Sequence, residues 1–150
     1  TDIINNMQED VYYVIGAGTT TRAIMEMLGI ESTLIGVDII YNKQLIKKDV
    51  SEEELLSIIS NERAKIVLTV IGGQGHVLGR GNQQISPKII REVGMENIII
   101  VATKEKLLGI KGRRLLVDTG DPDLDVNLSG YKRVVTGLNE RVICSIESEG

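Results

Sequence analysis

Five short aliphatic runs, each closed by turn residues, constrain the fold of this 150-residue chain more than any other feature. They span residues 11–15, 33–40, 65–71, 97–102 and 114–117. Helical signals stand between most of them. Residues 22–28 set Ala23, Ile24, Met27 and Leu28 on one side, and Gly29 follows as a stop. Ser51-Glu52-Glu53-Glu54 reads as a capping box with acids in the first turn of a helix reaching about Ser60. Ser86-Pro87 and Asp121-Pro122 each offer an N-cap and a proline at the first helical position. A shorter helix is expected at 104–108, and residues 1–10 read as the end of another.

Strands that alternate with helices predict an α/β fold. The expected architecture is three-layered and Rossmann-like, with a mostly parallel sheet and helices on both faces. Residues 131–136 and 141–146 add a C-terminal antiparallel hairpin, turning at 137–140 and expected at one edge of the sheet. Residues 43–49 form a polar connection that can extend as a ribbon. No repeat, low-complexity tract or linker interrupts the pattern, so residues 1–150 read as one domain.

The core of such a domain must be aliphatic, because the chain has no Phe, no Trp and only four Tyr. That leaves few faces for base stacking, and a net charge of −4 disfavours nucleic acid as a partner. No run of 18 apolar residues and no signal peptide is present, so no membrane association and a cytoplasmic location are expected. The lone Cys144 rules out an internal disulfide and a CxxC metal site, and reads as a buried thiol.

In open α/β sheets, ligands bind beyond the carboxyl ends of the strands. Three segments should lie there on one face: residues 16–22, 72–84 and 118–121. The first reads GAGTTTR. Gly16 and Gly18 permit a tight turn, the next helix points its N–H groups at the loop, Thr19, Thr20 and Thr21 add hydroxyls, and Arg22 adds charge. It completes neither the dinucleotide fingerprint, where Thr21 stands at the third glycine, nor a P-loop, which needs a lysine. Asp38 lies 20 residues after Gly18, where a ribose-binding acid could stand.

The second segment, IGGQGHVLGRGNQQ, holds five of the sixteen glycines and the only histidine. No Asp or Glu occurs from Arg63 to Arg91. Backbone amides of Gly72, Gly73, Gly75, Gly79 and Gly81, side-chain amides of Gln74, Asn82 and Gln83, and the charge of Arg80 together suit an anion. His76 is a candidate contact or acid–base group, with no second His or Cys to complete a zinc site. Asp118 ends an aliphatic strand and is a candidate for hydroxyl or magnesium–phosphate binding, and with His76 a candidate catalytic group. The acids at 118, 121, 123 and 125 do not make a calcium loop, because Val126 and Lys132 stand where Gly and Glu are required. No metal site is expected otherwise.

The combination GAGTTTRAI, LIGVDII, IGGQGHVLGRGNQQISPKIIR, NIIIVAT and LLVDTGDPDLD…GYKRVVTG resembles the C-terminal half of the ATP-NAD kinase-like family, in the branch of the acetoin-catabolism protein X homologues. The resemblance covers about residues 12–146, and GRGNQQISP is its most specific part. It implies a transferase that phosphorylates the ribose 2′-hydroxyl of NAD, making NADP, with ATP or polyphosphate as donor and magnesium as a candidate cofactor. The family's GGDGT segment, with its catalytic Asp, belongs to the N-terminal half and does not occur in these 150 residues. The chain is therefore expected to be the C-terminal domain of a longer protein, partnered by that N-terminal half and inactive alone as a kinase. The family's C-terminal domain is β-rich, whereas the residue pattern alternates strand and helix.

Two other readings remain open. The GxGTT turn is also similar to the phosphate loops of phosphosugar isomerases and deaminases, which implies a phosphosugar- or small-anion-binding domain. A non-catalytic homo-oligomerisation domain, pairing through the C-terminal hairpin, is the third.

Overall fold

The computed structural model describes residues 2–31, 36–71, 75–79, 82–137 and 140–148. The chain runs α1 (Asp2–Asn5), β1 (Tyr12–Ile15), α2 (Thr19–Met27), β2 (Asp38–Tyr41), β3 (Gln44–Lys47), α3 (Glu52–Ile59), β4 (Ala64–Thr69) and β5 (His76–Leu78). It continues through α4 (Pro87–Val93), β6 (Ile98–Val101), α5 (Lys104–Leu108), β7 (Arg114–Val117), α6 (Pro122–Leu128), β8 (Gly130–Gly137) and β9 (Glu140–Ser148). The described strands form one sheet in the order β3-β2-β1-β4-β6-β8-β9-β7-β5.

The sheet is mostly parallel, as the alternation predicts. β1 pairs with β4, β4 with β6, β6 with β8, β9 with β7 and β7 with β5, all in parallel. Three pairs are antiparallel: β1 with β2, β2 with β3, and β8 with β9. Two expectations need correction here. The second strand begins at Asp38 rather than residue 33, and it runs against β1 rather than with it. β2 then turns back into β3 as an antiparallel ribbon. The closing hairpin is present, but not at an edge. β8 lies beside β6, β9 lies beside β7, and β5 takes the edge.

Local chemistry explains the helices. Ser51 and Glu54 form the reciprocal capping box, and Lys47 pairs with Glu54 to hold β3 against α3. Ser86 caps α4, Thr103 caps α5 and Asp121 caps α6, with proline opening α4 and α6. The threonines expected in a loop instead form the first turn of α2.

Period-2 alternation splits the core between the two faces. Tyr13, Ile15 and Val67 pack with Ile3, Ile24 and Met25 beneath α1 and α2. Val14, Ile66 and Leu68 face the other way, with Leu55 and Ile59 of α3 and Ile89 and Ile90 of α4. Leu78, Val117 and Ile146 belong to that same second cluster, so the far and near halves of the sheet share one core. A cavity of about 270 Å³ remains between them, bordered by Leu68, Leu78, Ile98, Ile100 and Ile146. Nine strands among the described residues also meet the β-rich character that the family resemblance implies.

Candidate functional site

β1 ends at Ile15, and the chain turns through Gly16, Ala17 and Gly18 directly into α2. The Gly16 N–H donates to Val67 O at 2.9 Å, which seats the turn on the neighbouring strand β4. Gly18 has φ +137°, and a Cβ there would run into the methyl group of Thr69. The turn therefore lies flat on the end of β4, a close approach that only glycine allows. Thr21 is buried, and its hydroxyl donates to Gly16 O at 2.7 Å, with Gly18 O a second acceptor at 3.1 Å. Thr19 is exposed and Thr20 half-buried at the start of the helix. Gly18 supplies no side-chain cap to α2, so the first N–H groups of the helix are not used by one. Such a terminus favours an anion through its donors and its dipole. Arg22 does not join the turn; it pairs with Glu26 one turn along the exposed face, at 3.4 Å.

Asn82 joins this turn to the glycine-rich segment. Its Oδ1 accepts the Ala17 N–H at 2.8 Å, and its Nδ2 donates to Val77 O at 3.5 Å. The residue is 1% exposed, and its amide bridges segments 65 residues apart. The segment is not all loop: residues 76–78 form β5, paired with β7, and Ile71 N–H donates to His76 O at 2.7 Å. His76 sits in that strand and is buried. Gly75 O accepts the Leu116 N–H at 2.8 Å, which aligns the entry to β5 on β7. Gln83 is exposed just beyond Asn82. Gly72, Gly73, Gln74, Arg80 and Gly81 lie outside the described residues.

The third segment closes the chain of contacts. Gly79 has φ +106°, and a Cβ there would meet the Asp118 carbonyl oxygen. The Asp118 N–H in turn donates to Leu78 O at 3.3 Å. The Asp118 side chain is exposed. The described parts of the three expected segments are thus contiguous, with Asn82 linking the first to the second and Gly79 the second to the third.

Two groups that hold this region carried no functional signal in the sequence. Asp125 is buried in α6 and accepts both the Thr119 N–H (3.0 Å) and the Thr119 hydroxyl (2.6 Å), which pins the 118–121 segment. Arg91, in the last turn of α4, donates to Asp121 at 2.6 Å and ties that helix to the cap of α6. Arg91 beside Asp121, with two backbone N–H groups of α6, holds the Asp121 carboxyl below its ordinary pKa.

Asp38 also stands close to the turn, because antiparallel pairing sets it opposite Ile15. Its carboxylate accepts the Asp49 N–H at 2.8 Å. Burial raises its pKa, against the opposing pull of that hydrogen bond and of Lys48. A raised carboxyl favours the folded state most when protonated, below its unfolded pKa, and that contribution is lost as pH rises through the folded pKa. Asp38→Asn, which keeps an acceptor oxygen, should therefore gain stability over the parent as pH rises from 3 to 7. Thermal melts across that range check it; a difference that stays constant with pH would refute the assignment.

Among the described residues, no group of three or more His, Cys, Asp or Glu is arranged to hold a metal ion. Asp38 stands opposite Ile15, and the Asp118 backbone lies against Gly79. No described helix is long and apolar enough to cross a membrane.

These features define an α/β domain whose first βα turn is joined through Asn82 to the described end of the glycine-rich segment. The family model of the ATP-NAD kinase C-terminal domain matches residues 8–145, and the chain belongs to that family. It is the C-terminal domain of an NAD kinase-like protein. Among curated proteins and among solved structures, none matches the chain.

Proposed function

We propose that this domain supplies phosphate-binding backbone to an ATP-dependent phosphorylation of NAD to NADP. The carrying observation is the Asn82 amide, which fixes the uncapped start of α2 beside the glycine-rich segment. Phosphoryl transfer depends mainly on positioning and on charge stabilisation, and N–H donors held rigidly beside each other provide both. Thr19 and Thr20 stand where hydroxyls would add donors, and Arg80 would add charge. Asp118 would take a ribose hydroxyl or a magnesium ion held by the phosphates. The catalytic base is assigned to the GGDGT-bearing half of the family, not to this chain.

Calorimetric titration with ATP and NAD tests this reading, using the chain alone and joined to a GGDGT-bearing N-terminal half. Thr20→Ala and Arg80→Ala should each weaken ATP binding by about tenfold, the worth of one strong phosphate contact. Unchanged affinity in both variants would count decisively against the proposal. Tighter binding of a sugar phosphate than of either nucleotide would favour the isomerase-like reading instead.

A further inference from the structure

The cavity of about 270 Å³ beside Leu68 is built by six strands. Leu68 of β4, Ile100 of β6, Lys132 of β8, Ile146 of β9, Val117 of β7 and Leu78 of β5 all line it. These strands are consecutive neighbours in the sheet. Laid flat at about 4.8 Å spacing they would span roughly 24 Å, much wider than such a cavity, so they curve around it. The Ile71 N–H, just beyond β4, donates to His76 O of β5 and ties the two ends of this run together. Strand enclosures of small diameter are filled by side chains or hold one small ligand.

Space is left because β6 and β8 pair only at Val101 and Val135. Three residues earlier, Ile98 and Lys132 are not paired with each other, and both line the cavity. Register turns Lys132 inward: it stands opposite Cys144 and two residues before Val134, and both of those are buried in the second core cluster. Lys132 is the one cation lining the cavity among the described residues, and it makes no ion pair with them. Glu96 also borders the cavity, but its carboxylate lies back against Gly94, where an added Cβ would meet Oε1 at 2.6 Å. Gly94 does not line the cavity. Burial holds the Lys132 amine below its ordinary pKa, with no carboxylate near enough to offset it. Met95 and Tyr131 are exposed at the rim, so the cavity can be reached from solvent.

We propose that this cavity binds a short aliphatic monocarboxylate, with its tail among the leucines and isoleucines and its head on Lys132. An apolar cavity of about 150 Å³ takes benzene, so this one suits a ligand of about ten non-hydrogen atoms. The tail would fill apolar walls that now face empty space, and the head would supply the counter-charge that a half-buried ammonium lacks. One ammonium matches one negative charge, unlike the several of a nucleotide. The lining shares no residue with the 16–21 turn or with Asn82, so the site is separate from the one proposed for phosphate.

The test is an NMR titration of the chain with octanoate and, separately, with octanol, read at the methyl groups of Leu68, Ile98, Ile100 and Ile146. Both probes should shift these methyls, and octanoate should bind at least about fivefold tighter, the worth of one charge-assisted contact. Lys132→Met should weaken octanoate binding by about tenfold and leave octanol within about twofold. Retained octanol binding also shows that the variant keeps its fold and its cavity. Methyls unmoved by both probes, octanoate no tighter than octanol, or octanoate affinity unaltered in Lys132→Met would each overturn the proposal.

Discussion

Leu68→Ala should lower the unfolding free energy by about 3–5 kcal/mol, the range for truncating a fully buried leucine that its neighbours cannot replace. Leu68 is wholly buried. It sits beneath Gly16, where a Cβ would meet its Cδ2 at 3.1 Å, and it also borders the cavity of about 270 Å³ between the two halves of the sheet. Truncation would enlarge an existing void rather than let the core collapse into it. Urea denaturation measures the loss, and the dependence on denaturant should keep its slope. In a domain of this length, each kcal/mol corresponds to a fall of about 2–4 °C in melting temperature. A loss below about 1 kcal/mol would mean that the two halves of the sheet do not share this core.

Asn82→Ala should cost about 1–3 kcal/mol, since it strands the buried N–H of Ala17 without an acceptor. It should also loosen the alignment of α2 with the glycine-rich segment, so ATP affinity should fall with stability. Asn82→Asp gives a sharper result. The new carboxyl keeps the acceptor for Ala17 but faces the Val77 carbonyl oxygen, where the native amide donates. Burial and that carbonyl would both raise its pKa. The variant should thus be most stable at acid pH, with its carboxyl protonated and donating, and should lose stability as pH rises through the folded pKa. Melting curves of the two variants between pH 4 and 8 check this. Parallel pH profiles would show that Asn82 is not the joint described.

Much of this was legible in the sequence because it depends on near neighbours. Ser51 with Glu54, Ser86 with Pro87 and Asp121 with Pro122 announce helix starts within four residues. The aliphatic runs gave the strands, and their alternation with helices gave a mostly parallel sheet. The GAG turn was readable as a close backbone approach, since glycine is the only residue that tolerates it.

Pairing partners were not legible. The direction of β2 depends on which strand it meets, and its apolar pattern fits either direction. β5 was hidden within glycine-rich sequence because three residues carry no period, and its identity as a strand comes from β7 alongside it. The same limit applied to side-chain roles. Asn82 read as a ligand donor among Gln83 and Gln84, until the fold set Ala17 within reach of it. Asp125 read as one of four alternating acids, until Thr119 supplied two donors.

The sequence by itself determined most of the elements, the aliphatic core and a long stretch without acids, because composition and short-range spacing encode these directly. Only the tertiary structure decided that both halves of the sheet share one apolar core and that Asn82 joins the first βα turn to the glycine-rich segment. Those outcomes depend on contacts between residues far apart in the chain, and no local pattern carries that information.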